Sequence, residues 1–151
     1  MLKVGDKAPD FTLKNTEQKE VSLASFEDKN LVILFFPLAF TSVCTTELCT
    51  IKQDYSSYEA LNAEVVGISV DSPFTLAKFK ELEGYNFDLL SDFNKEVSTA
   101  YGSIYGDFIG LKGVAKRSAF VVGKDGTIKY AEILASPGDL PNFDAIKASL
   151  S

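Results

Sequence analysis

Residues 35–49 have the sequence FFPLAFTSVCTTELC and contain both cysteines of the chain, Cys44 and Cys49. The stretch overlaps the end of an apolar run, LVILFF (31–36), which is typical of a strand buried on both faces. Pro37 ends this run, because proline lacks the backbone N–H that a central strand needs. The sequence therefore predicts a buried strand that ends shortly before the two thiols.

A helix is predicted directly after this strand. Thr41 or Ser42 can cap its N-terminus, since a hydroxyl oxygen there accepts a hydrogen bond from an unpaired backbone N–H. This start places Cys44 in the first helical turn, where unpaired N–H groups and the helix dipole favour a thiolate. Further along, large side chains recur at the spacing of one helix face: Leu48, Ile51, Tyr55 and Tyr58.

Two more apolar runs, EVVGISV (64–70) and SAFVVG (118–123), also predict buried strands. Between them, Asp71-Ser72-Pro73 is typical of a helix N-terminus with proline at its first position, and the helix is expected to end at about Glu83. The irregular stretch 101–117 contains four glycines and leads directly to Arg117, so we interpret it as a functional loop.

Both ends of the chain carry hairpin or helix signals. Residues 10–23, DFTLKNTEQKEVSL, predict an N-terminal hairpin, because polar and apolar side chains alternate in DFTL and in EVSL. A second hairpin is predicted around the turn Lys124-Asp125-Gly126, and PNFDAIKASL (141–150) predicts a short amphipathic helix. The pattern predicts an α/β sandwich with a mixed central β-sheet flanked by helices, in one domain over residues 1–151.

Composition excludes several classes of protein. A net charge of −6 without a lysine block gives no footprint for nucleic acid, and the N-terminus has no apolar signal segment. No apolar run approaches the roughly 18 residues of a membrane span, so we expect a cytoplasmic protein without a membrane partner. Two cysteines do not make the disulfide framework of a small secreted domain.

The sequence contains no histidine, and only one of its 15 basic residues, Arg117, is arginine. Without histidine, Ser-His-Asp and Cys-His catalysis are excluded and a zinc site would need two thiolates plus carboxylates. We therefore expect no metal and no cofactor. A single arginine among lysines indicates a position that needs several fixed, planar N–H donors.

Inert core packing is the alternative for both thiols, because free cysteine is often buried. For Cys49 this alternative is weakened by its neighbours on an ideal helix, which are all polar: Thr45, Thr46, Lys52, Gln53 and Ser56. The pattern predicts that Cys49 lies on the solvent-facing side of the helix, where it can meet another thiol or a partner protein.

Pro37, Thr41 and Cys44 match the P-x-x-x-T-x-x-C signature of the peroxiredoxins, and the chain resembles that family from GDKAPDFTL (5–13) to the second hairpin. The resemblance implies a thioredoxin-like fold and thiol-dependent reduction of peroxides. A second cysteine five residues after the first is similar to the Q-type (bacterioferritin comigratory protein) subgroup, whereas PLAFTSVCTTELC resembles AhpE-like members. The first subgroup implies a monomer and the second a homodimer, and both alternatives stay open.

The resemblance also implies a role for each site residue. Cys44 would attack the peroxide and become a sulfenic acid, while Thr41 would hold the peroxide in line with the sulfur. Arg117 would stabilise the thiolate and the developing charge. Pro37 would shield the sulfur, and Glu47, whose charge opposes a thiolate unless paired, is expected to orient Arg117.

Cys49 is expected to resolve the sulfenic acid as a Cys44–Cys49 disulfide, which a thioredoxin- or glutaredoxin-like partner would reduce. On an ideal helix, residues five apart are separated by about 7.5 Å along the axis and face roughly 140° apart. A disulfide needs Cα atoms within about 6.8 Å. We therefore expect residues of roughly 43–50 to unwind before the disulfide forms.

Two other classes of protein share parts of this pattern. A thioredoxin-like disulfide reductase would carry Cys-x-x-Cys and a cis-proline before the late strand, where this chain has Cys-x4-Cys and Arg117-Ser118. A non-catalytic binding module would carry spectator thiols, which react slowly with peroxide because an ordinary thiol, of pKa about 8.5, is mostly protonated at neutral pH.

Overall fold

The computed structural model of the protein describes residues 2–150, and within them seven strands form one mixed sheet. The strands are β1 (Thr12–Asn15), β2 (Glu20–Ser22), β3 (Asn30–Phe35), β4 (Ala63–Ser69), β5 (Asp88–Ser91), β6 (Ser118–Val122) and β7 (Ile128–Ile133). Their order is β2-β1-β5-β4-β3-β6-β7, in which β3 pairs in parallel with β4 and antiparallel with β6. β3 is therefore central and hydrogen-bonded along both edges.

Helices cover both faces of this sheet. They are α1 (Ser42–Gln53), α2 (Tyr55–Ala60), α3 (Pro73–Glu83), α4 (Glu96–Ala100) and α5 (Phe143–Ser149), with a 3₁₀-helix at Leu23–Phe26. Residues of α1, α2, α3 and α5 pack in one core cluster, and α4 packs with the N-terminal segment in the other. Alternate residues of β3 enter the two clusters, because successive side chains of a strand point to opposite faces.

Most predicted elements are confirmed. The two hairpins are β1–β2 and β6–β7, both antiparallel, and β3, β4 and β6 lie within the predicted apolar runs or one residue beyond them. α3 begins at Pro73, with the Ser72 hydroxyl accepting a hydrogen bond from the N–H of Thr75, and it ends at Glu83 before Gly84 in the left-handed region. Ser72 and Pro73 thus start the helix as their spacing predicted.

The prediction of one continuous helix from Leu48 to Tyr58 is wrong in one respect, because the helix is interrupted at Asp54. The Asp54 carboxylate accepts hydrogen bonds from the Ser57 hydroxyl at 2.7 Å and from the Lys147 ammonium at 2.6 Å. These contacts hold Asp54 as the joint between α1 and α2. Two short elements, β5 and α4, carry no strong periodic signal and the sequence did not predict them.

None of the helices within residues 2–150 combines the length and the apolar character that crossing a membrane requires.

Gly67 in β4 gives a direct test of core packing behind α1. A Cβ at this position would lie 2.9 Å from Leu89 Cδ2 and 3.2 Å from Phe36 Cε1. We expect Gly67→Ala to lower the free energy of unfolding by about 1–3 kcal/mol through overpacking. Urea denaturation measures this change.

The matched control is Gly106→Ala, since a Cβ at Gly106 meets no atom within 4 Å. Its stability should equal that of the wild type or exceed it slightly, because alanine restricts the unfolded chain. Equal effects of the two substitutions would show that the core around Gly67 has room for a methyl group.

Candidate active site

Cys44 is the third residue of α1, as predicted, and it is fully buried. It belongs to the core cluster that also contains Phe36 and Leu48. The first turn of a helix leaves backbone N–H groups without intrahelical partners, and these favour negative charge. The sulfur therefore lies at the positive end of α1 and away from bulk water.

Phe40 and Thr41 set the direction in which α1 begins. Phe40 has a φ of 66°, in the left-handed region that a bulky residue adopts at a cost of about 1–3 kcal/mol. Thr41 occupies the N-cap position, but its hydroxyl makes no cap hydrogen bond and donates instead to the carbonyl of Leu38 at 2.8 Å. Thr41 thus has the predicted position with a different contact, which leaves its hydroxyl oxygen able to accept a hydrogen bond.

Asp71 anchors the loop between β3 and α1, a role that the sequence did not predict. One of its carboxylate oxygens accepts hydrogen bonds from the backbone N–H of Ala39 at 2.8 Å and from the Ser69 hydroxyl at 2.6 Å. The loop that carries Pro37, which is buried, and Thr41 is therefore fastened to the end of β4.

Arg117 immediately precedes β6, and only 2% of its surface is exposed. Its Nη2 donates to Cys44 Sγ at 3.2 Å, and its Nη1 donates to Glu47 Oε1 at 2.6 Å. Nε and Nη2 also donate to the carbonyl of Pro137, at 3.2 Å and 3.1 Å. All three guanidinium nitrogens are therefore used, which lysine with its single ammonium could not reproduce.

Glu47 is fully buried one turn after Cys44, and the expected contact with Arg117 is present. Burial raises the pKa of Glu47 from 4.5 to about 7, because a charged carboxylate loses its hydration, while the charge of Arg117 acts in the opposite direction. Burial also acts to lower the pKa of Arg117, but the nearby Glu47 and Cys44 outweigh it and raise that pKa. The guanidinium therefore stays charged.

Cys49 lies in a different environment from the predicted one. It is half-buried, and its sulfur lies 3.8 Å from Glu83 Oε2 and 3.8 Å from Tyr85 Oη. The Tyr85 hydroxyl also donates to the carbonyl of Thr45 at 3.5 Å. The prediction of a solvent-facing sulfur is wrong in part: most of its polar neighbours on this face are exposed, but Glu83 and Tyr85 partly cover Cys49.

Both cysteines are free thiols on an intact α1. Cys44 contacts Arg117, whereas Cys49 contacts Glu83 and Tyr85, so the two sulfurs have separate surroundings. A cavity of about 730 Å³ lies elsewhere, between β1 and the start of α3, and none of the predicted site residues lines it. The chemistry of the site therefore rests on the buried cluster of Cys44, Glu47 and Arg117.

Comparison with known proteins decides the family. Residues 4–131 match the family model described as the AhpC/TSA family. This chain belongs to the AhpC/TSA family. It is 39% identical over 143 residues to alkyl hydroperoxide reductase E of Mycobacterium tuberculosis, with 93% of this chain and 90% of that protein covered.

Two further similarities agree with this assignment. The chain is 40% identical over 131 residues to bcp of Haemophilus influenzae, a protein assigned by name to the peroxiredoxins, with 84% of this chain and 83% of that protein covered. The crystal structure of peroxidoxin BcpB from Mycobacterium tuberculosis matches with a TM-score of 0.88 at 28% identity, covering 99% of this chain and 97% of that one. The thioredoxin-like fold is confirmed, and the protein is a peroxiredoxin.

A peroxiredoxin is a thiol-dependent peroxidase, so the predicted enzyme class is confirmed. Its substrate is a peroxide, and its electrons come from a thiol reductant. The roles of the individual residues stay predictions. In the structure, Arg117 contacts both Cys44 and Glu47. Pro37 and Thr41 lie in the loop before α1, and Cys49 is separate from this cluster.

Arg117→Lys should slow the reaction with peroxide at least about tenfold, equivalent to about 1.4 kcal/mol of transition-state stabilisation. Lysine keeps the charge but cannot contact Cys44, Glu47 and Pro137 at the same time. Stopped-flow competition against a peroxide-reactive reporter measures the rate, and a urea transition checks that the variant is folded. A rate within a factor of two of the wild type would remove Arg117 from the site.

Glu47→Gln should change how stability depends on pH. Between pH 4.5 and about 7 the unfolded chain loses the Glu47 proton while the folded chain keeps it. The free energy of unfolding of the wild type therefore falls as the pH rises through this interval. Glutamine cannot ionise, so the variant should gain stability relative to the wild type over this interval and keep a constant difference above it. Urea denaturation in reducing buffer at several pH values measures the difference.

The control for this measurement is Glu59→Gln on α2, because Glu59 is exposed. Its stability should follow that of the wild type at each pH. A difference between Glu47→Gln and the wild type that does not change with pH would contradict the raised pKa of Glu47.

Proposed function

We propose that Cys44 reduces hydrogen peroxide or an organic hydroperoxide, that Cys49 resolves the product as an intramolecular disulfide, and that a thioredoxin- or glutaredoxin-like protein restores both thiols. The observation that carries this proposal is the 3.2 Å hydrogen bond from Arg117 Nη2 to Cys44 Sγ in a buried site. A guanidinium held against a sulfur stabilises the thiolate, which is the nucleophilic form.

In the first step, the Cys44 thiolate attacks the terminal oxygen of the peroxide. The S–O bond forms as the O–O bond breaks, so sulfur is oxidised to a sulfenic acid and the peroxide is reduced to water or an alcohol. Arg117 is placed to hydrogen-bond the oxygens as negative charge moves onto the leaving one. Because its fork is already fixed by Glu47 and Pro137, little reorganisation is needed during the reaction.

Thr41 is proposed to position the peroxide. Its hydroxyl hydrogen is directed at the carbonyl of Leu38, so its oxygen can accept a hydrogen bond from the peroxide O–H. Since Cys44 is fully buried, some of the residues around it must move before a peroxide reaches the sulfur. The loop before α1 also carries Pro37, which we propose shields the sulfur from larger molecules.

The second step needs α1 to open, because Cys44 and Cys49 lie on one intact helix. The sequence SVCTTELCTIKQ is rich in residues of low helix propensity, each less favourable than alanine by roughly 0.5 kcal/mol. The hydroxyls of Thr45, Thr46 and Thr50 each bond the carbonyl four residues earlier, a pattern that weakens helices slightly. These features lower the cost of opening α1, against which the buried side chains of Cys44, Glu47, Leu48 and Ile51 act.

After opening, the Cys49 thiol attacks the sulfenic sulfur, and water leaves as the disulfide forms. The unwound segment then exposes the disulfide to the thioredoxin- or glutaredoxin-like protein. That protein reduces the disulfide and is itself oxidised. This cycle suits a compartment in which thiols are kept reduced, so we retain the cytoplasm as the proposed location. We also propose that residues 1–151 act as one domain in this cycle.

Two features of the protein point to different oligomeric states. The similarity to alkyl hydroperoxide reductase E favours a homodimer. The cysteine spacing favours a monomer. Sedimentation of the reduced and oxidised protein distinguishes the two.

Two cysteine variants test the cycle. Cys44→Ser should abolish peroxide consumption, because a serine hydroxyl without a nearby base is not an activated nucleophile. Cys49→Ser should react once with peroxide and stop at a sulfenic acid, which excess peroxide then oxidises further. Mass measurement after each addition identifies the products, and turnover by Cys44→Ser with a thiol reductant would overturn the assignment.

Hydrogen exchange tests the opening of α1 in the wild type. Residues 43–50 should be protected in the reduced protein and exchange quickly in the disulfide form. If a Cys44–Cys49 disulfide forms while this segment stays as protected as before, the unwinding step is wrong.

A further inference from the structure

The buried site contains two acids and one cation. Cys44 and Glu47 are fully buried, and Arg117, only 2% exposed, contacts both through different nitrogens. A single guanidinium charge balances one anion, and a second buried anion would be left without compensation at considerable cost. When Cys44 is a thiolate, the lowest-energy arrangement therefore keeps Glu47 protonated.

The geometry of Glu47 gives that proton a place. Oε1 accepts the hydrogen bond from Arg117, whereas Oε2 is buried and has no hydrogen-bond partner among the residues described. An ionised carboxylate would leave Oε2 charged and unsolvated, which is the costly case. A proton on Oε2 removes most of this charge without disturbing the bond between Oε1 and Nη1.

Within residues 2–150, Glu47 has no ion-pair partner besides Arg117, while the N-terminus of α1 favours negative charge at Cys44 and not at Glu47 one turn later. Glu47 is faced by Arg117 from the residue before β6 and by Cys44 from the preceding turn of α1. Tyr85, whose charge would act on Cys44, lies after α3, and its burial and the hydrogen bond with Cys49 raise its pKa so that it stays neutral. The raised pKa of Glu47 is in agreement with this balance.

We propose that Glu47 stores the active-site proton while Cys44 is a thiolate and gives it to the leaving oxygen when the peroxide bond breaks. This inference rests on the proposed function of Cys44. It adds to the predicted orienting role of Glu47 a change of protonation in every turnover.

The step balances in atoms and charge. The Cys44 thiolate takes the terminal OH of the peroxide and becomes a neutral sulfenic acid, and the O–O electron pair stays on the leaving oxygen. That oxygen takes the proton from Glu47 Oε2 and departs as water or an alcohol. Glu47 is then an ionised carboxylate. The Arg117 charge therefore balances the Cys44 thiolate before the step and the Glu47 carboxylate after it.

Infrared difference spectroscopy tests the proposal in the Cys49→Ser background, where the reaction stops at the sulfenic acid. One equivalent of hydrogen peroxide should remove the C=O stretch of a buried protonated carboxyl and add carboxylate bands. The same difference should be absent when Glu47→Gln is added and present when Glu59→Gln, on the exposed face of α2, is added. No loss of a protonated carboxyl during oxidation would overturn the proposal.

The pH dependence of the peroxide reaction gives a second test. The active form keeps the proton of Glu47, so the wild-type rate should fall as the pH rises through neutral. Glu47→Gln keeps an acceptor for Arg117 but has no acidic proton to transfer. It should react at least about tenfold more slowly at the wild-type optimum and show no falling limb.

Parallel pH profiles for the wild type and Glu47→Gln would contradict proton storage, because a purely orienting role predicts a uniform change. Failure of the proposed function gives a different result, since peroxide would then not oxidise Cys44 in either protein. Mass measurement of the Cys44-containing peptide separates these two outcomes.

Discussion

The hydrogen bond from Arg117 to Cys44 is the contact on which the rest of the site depends, and the sheet makes it possible. β3 pairs antiparallel with β6 so that Phe35 lies opposite Ser118. Arg117, one residue earlier, therefore lies beside the point where β3 ends and the loop to α1 begins. The central position of β3 in the sheet fixes this meeting point, and α1 brings Cys44 and Glu47 to the same guanidinium.

The same helix has to satisfy two opposite requirements. It must be folded to hold Cys44 against Arg117 and Glu47 one turn further along, and the proposed cycle needs it to open for Cys49. Its sequence suits both, because low-propensity residues make the isolated helix weak while burial of Leu48 and Ile51 stabilises it in the fold.

Much of the fold and the centre of the site could be predicted from the sequence, because they depend on local signals. Ser72-Pro73 marks a helix start by its own chemistry, and a lone arginine in a lysine-rich chain indicates a special position even before its partner is known. The surroundings of Cys49 could not be predicted, since Glu83 and Tyr85 reach it only through tertiary packing of α3 on α1. The contact of Arg117 with the Pro137 carbonyl could not be predicted either, because every residue has a backbone carbonyl and the residue type gives no signal for it.

One buried guanidinium, held by several fixed hydrogen bonds, contacts the thiol that we propose as the nucleophile. Arg117 is the only arginine in the sequence, so labelling the protein with ¹⁵N-arginine gives NMR signals from this side chain without further assignment. In the reduced enzyme we predict separate, slowly exchanging N–H signals that shift when Cys44 is oxidised. A single averaged signal that exchanges rapidly with solvent and does not respond to oxidation of Cys44 would contradict the account.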